Sequence, residues 1–551
     1  MKSFFQRALA VCVLTTMLLC MAACSVNDTP ASTKAPDTVD TTPQDSADTP
    51  STDVKASDPT VSYPIQTEDN KLTFWLPIQP IASKYISSYN DHLIYNIISE
   101  NTGMDIEFIN CAPADGATQL SLLIASNDIP DIMQIRGMYP GGAAAGVNEG
   151  VFVDLTPYLE QHAPDYYKAI RTSDLCYRLV TDKEGNVFSF EELGQTAPAF
   201  DRMMYRQDIM DKLSLDIPTT LADYEEDFAA MQNAGISPLL LAKTGRTPML
   251  MWPFGITEDW CLDENGKVQY GQYTDNYREY LTLMNDWYSK GYIYKDFMAN
   301  LSDSEIHALF VNGTVGMYPS AVDIASSLAS ANGFTAVSLP YVRAQEGQSL
   351  HFEKTYWESV PWAAFGTTVI SSSCKNIEAA VEYLNYFYTS EGADLCNWGV
   401  KDVHYTVDAN GKKTFTDEML NNPNMPLSDV QMNLKLHTTA KLAEPDVVCN
   451  PNVVANETAL KLRMMYSDDK TVDNAQTLPP FSLSAESSNA RISIMNEITT
   501  YVDEMTLKFI TGVTPLSEYD NYMAQLKALG IEDAIAITQA EYDIFMNKPG
   551  L

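Results

Sequence analysis

Positive charge is scarce in this 551-residue chain, where 35 Lys and Arg face 72 Asp and Glu for a net charge of −37. A surface that acidic repels phosphate backbones over a Debye length, so nucleic acid is excluded as a partner. Its plainest consequence is solubility. Histidine is scarcer still: there are six, with no HExxH or HxxxH spacing, so no metal site is expected. No two of the nine cysteines form a CxxC pair. The chain also lacks a GxSxG nucleophile elbow, a P-loop and a glycine-rich dinucleotide turn. No cofactor is expected, and no local pattern favours catalysis. Long apolar runs are missing from the body of the chain.

The length is several times the ~100 to 200 residues of one domain, so more than one core is implied. Hydrophobic residues at 45% and aromatics at 10% are ordinary for a folded body. The ends differ from that body. Lys2 and Arg7 precede an uncharged run over 8–20, then Met21, Ala22, Ala23 and Cys24. This predicts a signal peptide over 1–23, too short for a membrane span. Its close resembles a bacterial lipobox, with Met21 where Leu is common, which implies that Cys24 is acylated. Over 25–66, 27 of 42 residues are Thr, Asp, Pro or Ser, with no Leu, Phe or Trp. Such a stretch cannot bury enough apolar area to offset its ordering entropy, so 24–66 is expected to be a disordered tether. It would reach roughly 35 to 40 Å. Two acyl chains would make the anchoring stable. The six remaining cysteines, Cys111, Cys176, Cys261, Cys374, Cys396 and Cys449, are expected to be buried thiols, although an extracellular setting permits disulfides.

In the body, 72–75 reads as a strand, 87–99 as a helix facing inward with Leu93, Ile94, Ile97 and Ile98, and 104–108 as an alternating strand. A helix over 117–126 and a strand over 131–135 follow. This β-α-β-α-β order predicts an α/β lobe with a mostly parallel sheet, whose ligand crevice lies at the carboxyl ends of its strands. A second α/β pattern starts near Met203. Thr220, with Asp223 three residues on, predicts a helix to Met231. Tyr280, Leu281, Met284, Trp287 and Tyr288 mark an amphipathic helix over 277–290. The Asn-Gly pairs at 265–266 and 410–411 predict hairpins rather than calcium loops.

These segments, in order, resemble an extracellular solute-binding protein of an ABC importer, of the carbohydrate-type lipoprotein family 1. Asn101-Thr102-Gly103, the run LIASNDIPD over 123–131, and Asp154-Leu155-Thr156 with Pro164 carry the first part of the likeness. Tyr205, Arg206, Asp208, Pro218, Thr219 and the run 235–238 carry the next. WYSKGYIYKDF over 287–297 follows, then Phe310, Gly313, Gly316, Met317, Leu339 and Pro340. KNIEAAVEYLNYFYTSEG over 375–392 with Asn397, Trp398 and Gly399 completes it. The resemblance implies an α/β, two-lobed periplasmic-binding-protein-like fold (class II type) with hinge-crossing strands. Lobe one would span 67–195 plus 336–388, and lobe two 196–335 plus 389–551. It further implies a monomer that closes on an oligosaccharide and hands it to ABC permease transmembrane subunits, with no covalent chemistry.

Sugars present flat C–H faces ringed by hydroxyls, so aromatic platforms and polar partners are the residue types to seek. Trp75, Arg136, Tyr139 and Tyr318 stand on loops that border the cleft in the family. Trp252, Trp260, Trp357 and Trp362 are further aromatic candidates. Gln79, Asp323 and Glu358 are candidate hydroxyl partners, and Arg136 reads equally well as a ligand contact or a structural ion pair. Two alternatives remain. One is a peptide-binding or signalling lipoprotein on the same fold; the other is a secreted carbohydrate hydrolase using two of the 72 acids.

Overall fold

The computed structural model describes residues 60–194, 201–352, 360–361, 367–436, 439–465 and 469–551. The leader, Cys24 and the tether up to residue 59 lie outside these residues, as do Trp357, Glu358 and Trp362.

Strand β1 (Lys71–Trp75) pairs in parallel with β2 (Asp105–Ile109) and β3 (Ile132–Gln134). Helices Leu93–Thr102 and Gly116–Ser126 make the connections. In β2, Ile106 and Phe108 are buried while Asp105 and Glu107 are exposed, as the alternation predicts. Gly103 ends the first helix at φ +72°, and a Cβ there would lie 2.8 Å from Pro64 Cβ, so glycine is required twice over. That helix starts later than predicted. Ser88 caps a short 3-10 turn instead, and His92 Nδ1 accepts the Ile94 amide at 3.3 Å to begin the helix at Leu93. Leu93 is therefore exposed and Tyr95 takes the inward place.

A short strand, β4 (Leu193–Gly194), leads to β5 (Asp201–Arg206). Next come β6 (Ser237–Leu239), the hairpin β7 (Trp260–Leu262) and β8 (Val268–Tyr270), then β9 (Val315–Ala321) and β10 (Ala336–Ser338). A second sheet forms in the order β10-β5-β9-β6. The predicted Thr220 and Asp223 capping box opens the helix Leu221–Asn233. Asp275–Ser289 buries Tyr277, Tyr280, Leu281, Met284 and Trp287, and Trp287 Nε1 donates to Glu225 at 2.9 Å.

The chain returns through β11 (Val360–Pro361) to β12 (Thr368–Ile370), which completes the first sheet as β12-β3-β1-β2. The hairpin β13 (Tyr405–Val407) and β14 (Lys413–Phe415) precedes β15 (Leu442–Ala443). Both predicted hairpins close by one device. Asp263 Oδ1 accepts the amides of Asn265 and Lys267, Asp408 Oδ1 those of Asn410 and Lys412, and Gly266 and Gly411 supply the positive φ.

Each sheet has its own core. Leu72, Phe74, Ile98, Phe108, Tyr383 and Leu384 belong to one cluster; Tyr205, Phe228, Trp287, Phe310 and Met317 belong to another. The boundaries expected from the sequence need correcting at three places. The tether expected to run to 66 stops short of it, because Ile65 is buried in the lobe-one core and the Tyr63 hydroxyl donates to the Glu382 carbonyl at 2.9 Å. Ala336 and Val337 lie in lobe two, because β10 pairs with β5. Residues from 389 to about 440 remain in lobe one. Thr389 caps the helix Ser390–Trp398, which continues the layer begun by Ile377–Asn385 and buries Leu395 and Cys396 beside Tyr383. Leu436 and Ala440 join the same core. The six body cysteines are free thiols, all buried except half-buried Cys111.

Candidate functional site

The lobes are joined by three short strands lying side by side, β11-β4-β15. β4 carries the chain out of lobe one, β11 brings it back, and β15 takes it out again. Strands of two residues each offer few hydrogen bonds to resist rotation, the property that a hinge requires.

Polar groups buried at this crossing tie the three segments together. Lys441 Nζ, just before β15, donates to Glu192 Oε1, just before β4, at 2.6 Å, and both side chains are under a tenth exposed. Glu191 accepts from Ser189 Oγ at 2.6 Å and from Thr367 Oγ1 at 2.9 Å, while its backbone carbonyl accepts from the Tyr388 hydroxyl at 2.5 Å. Burial pushes the Glu191 carboxyl up to about 7, against the two hydroxyl hydrogen bonds that favour its ionised form.

Strand register shows which ends of the sheets adjoin the hinge. Thr368, the first residue of β12 after its crossing, opposes Gln134, the last residue of β3. Asp201, the first residue of β5, opposes Ala321, the last of β9. The carboxyl end of β3 and the start of β5 are thus the hinge-proximal edges, where a ligand between the lobes would touch both.

On the lobe-one edge the structure brings two predicted residues together. Arg136 sits at φ +44° just beyond β3, and its Nε donates to Gln134 Oε1 at 2.6 Å. With its amide oxygen turned toward the guanidinium, Gln79 accepts from Nη1 and Nη2 at 2.7 and 2.8 Å. Burial lowers the Arg136 pKa, and the charges of Tyr89, Tyr95 and Glu192 act against that shift. No carboxylate of the described residues lies within 4 Å of Arg136, so the structural ion pair weighed for it is not formed there.

Three of the predicted aromatic platforms, Trp75, Tyr139 and Tyr318, are buried. Trp75 is 1% exposed and packs in one cluster with Leu120, Met133, Tyr139, Phe152 and Val369. Tyr139 stands edge-on to Phe152 at 4.8 Å, and its hydroxyl donates to Glu149. Tyr318 is buried against Phe310 at 4.5 Å. Its enclosed hydroxyl has no partner among the described residues, and burial raises its pKa to about 12. Trp260 is half-buried on the β7–β8 hairpin, 5.2 Å from Tyr270 and with the Arg491 guanidinium 5.4 Å from its ring. Asp323, just past β9, is held by Arg463 Nη1 at 3.2 Å.

Trp252 belongs to a recess whose central group sequence reasoning missed. Arg202, on β5 next to the hinge-proximal Asp201, is 3% exposed and lays its guanidinium on Tyr341, 3.7 Å from the ring centroid. Tyr341 in turn meets Trp252 at 5.7 Å, and Trp252 Nε1 donates to Thr257 at 3.4 Å. Nε and Nη1 of Arg202 are buried with no hydrogen-bond partner among the described residues. The one signal in the sequence was a cation at the head of the apolar run Met203–Tyr205 in a chain poor in cations, which composition alone does not single out.

Residues 94–396 match the family model of the bacterial extracellular solute-binding proteins. The chain belongs to that family. The family is one of substrate-binding proteins rather than enzymes. Among curated relatives, the solute-binding protein is 22% identical to the fructooligosaccharide ABC transporter substrate-binding protein FusA of Streptococcus pneumoniae, over 88% of this chain and 92% of the relative. It is 23% identical to lipoprotein LipO of Bacillus subtilis, over 56% of this chain and 63% of LipO. Among solved structures, an HMO-binding ABC-transporter-associated solute-binding protein from Bifidobacterium longum infantis superposes with a TM-score of 0.67 at 19% identity, covering 87% of this chain and 99% of that one. These neighbours share the two-lobed fold.

Proposed function

We propose that this solute-binding protein captures an oligosaccharide between its lobes and delivers it unmodified to the permease subunits of an ABC importer, while acylated Cys24 holds it as a monomer on the outer face of the membrane. The observation that carries the reading is the hinge. Two independently cored lobes are joined by three two-residue strands, and Gln79 with Arg136 on one side and Arg202 with Trp252 and Tyr341 on the other stand beside it. Binding energy drawn from both edges stabilises the closed arrangement over the open one, and this differential affinity is what a permease can read.

The nature of the cargo draws support from the relatives. FusA, similar over 88% of this chain, is named for fructooligosaccharides, and the Bifidobacterium neighbour for HMO binding. LipO, named as a lipoprotein, supports the anchor. Arginine and amide donors suit ring hydroxyls. Calorimetry with a panel of oligosaccharides and of peptides tests the reading. Saturable heat with oligosaccharides is expected, and saturation by peptides alone would refute it. Recovery of the sugar with its mass unchanged is expected, whereas a shortened product would restore the hydrolase alternative.

A further inference from the structure

Most enclosed arginines among the described residues come with carboxylates. Arg246 is flanked by Glu258 at 3.1 Å and Asp503 at 2.6 Å, Arg343 meets Asp469 at 2.6 Å, and Arg463 meets Asp323 at 3.2 Å. That is the expected state, because an enclosed guanidinium without a counter-charge carries its full desolvation penalty. Arg202 breaks the pattern. It is as buried as Arg463, yet among the described residues no carboxylate lies within 4 Å and two of its nitrogens have no acceptor.

Its surroundings supply no substitute. Tyr224, Trp252, Pro340 and Tyr341 share the recess, and the face of Tyr341 polarises toward the cation without accepting its N–H groups. The free volume of the recess is about 10 Å³, room for one oxygen atom. A water there satisfies one N–H and none of the charge. A carboxylate oxygen entering the same space supplies both acceptor and counter-charge. Register places Arg202 opposite Ser320, one residue in from the hinge-proximal edge. Across the hinge, Arg136 is likewise held by glutamine amides and not by an acid. Both lobes therefore present beside the hinge a guanidinium with no carboxylate partner among the described residues, in a chain where acids outnumber bases by 72 to 35.

We infer that the cargo carries an acidic group, a carboxylate on one of its sugar rings, and that Arg202 is the residue that receives it. This rests on oligosaccharide capture and narrows it to acidic oligosaccharides. Carboxylate specificity of this kind comes from an enclosed charge left unpaired until the right ligand arrives, so that a neutral analogue leaves it unpaired.

The test is calorimetry of the intact protein with uronate-bearing and sialate-bearing oligosaccharides, each paired with its own methyl ester, which keeps the skeleton and removes the charge. Expected is at least tenfold tighter binding of the acid than of its ester for the best pair. In Arg202→Gln the acid-to-ester ratio falls to near one. Arg202→Lys, which keeps the charge but not the planar donors, gives an intermediate ratio. Esters or neutral oligosaccharides binding as tightly as the acids would overturn the inference and leave oligosaccharide capture standing. Absence of heat with every glycan, acidic or neutral, would overturn capture and the inference with it. The acid-to-ester ratio of the unaltered protein decides the matter even if a variant fails to fold.

Discussion

Glu191 offers a sharp test of how the hinge is held. Its carboxyl is enclosed between Ser189 and Thr367, next to the Glu192 to Lys441 pair, and burial lifts it from the ordinary carboxylate value to about 7. A group raised on folding binds its proton more tightly in the folded state. Its contribution is therefore complete below the unfolded value of about 4.5 and is lost as pH climbs through about 7. A rise of that size corresponds to about 3 kcal/mol. His92 works in the opposite sense. Burial lowers it to about 4, so it contributes above its unfolded value and loses that contribution as pH falls toward 4. The two trends offset each other in the unaltered protein, and the informative quantity is the difference between it and Glu191→Gln, an uncharged mimic of the protonated acid. Urea unfolding of both proteins from pH 4.5 to 8 should show the variant gaining about 3 kcal/mol relative to the parent across that window. Asp227, raised to about 7 on lobe two, gives a control. Asp227→Asn should show a similar trend without altering the contribution of Glu191. If Glu191→Gln runs parallel to the parent at every pH, the carboxyl is not held protonated at the crossing and the reasoning fails.

Three further outcomes are expected. Removing one partner of the Lys441 to Glu192 pair, by Lys441→Met or Glu192→Gln, should cost about 3 to 5 kcal/mol in chemical unfolding, and the double variant should recover much of it. Gly399→Ala should lose about 2 to 4 kcal/mol, because the residue sits at φ +82° and a Cβ would come within 2.3 Å of His404 Nδ1 and 2.7 Å of the Leu434 carbonyl oxygen. Cys24→Ala should release the protein from the cell surface into the medium, read by fractionation and immunoblotting; full retention would contradict the anchor.

Local chemistry carried the parts of the fold that the sequence made legible. Thr220 with Asp223, Gly103 and the two Asn-Gly turns act within a few residues of themselves, and each produced the element expected of it. The side of the hinge on which 389–440 packs was not legible, since Leu395 and Cys396 are as apolar as any residue of lobe two and only Tyr383 and Leu384, through the preceding helix, decide their neighbours. Aromatic content alone does not tell a stacking platform from a core residue, for a related reason. An indole that stacks on sugar and one that fills a core look alike in sequence, and Trp75 fills a core. Arg136 and Gln79 stood out in the sequence because they follow strand ends, where α/β sheets expose their chemistry, and the structure brings the two side chains together. Arg202 did not stand out in the sequence, because what sets it apart, two buried nitrogens with no hydrogen-bond partner among the described residues, shows only in coordinates.

Equilibrium dialysis of the intact protein against a mixed pool of oligosaccharides, with the retained sugar weighed by mass spectrometry, tests the central claim most directly. Capture between two hinged lobes predicts one oligosaccharide retained per chain, returned with its mass unchanged. An empty protein, or a sugar returned shortened, would contradict it.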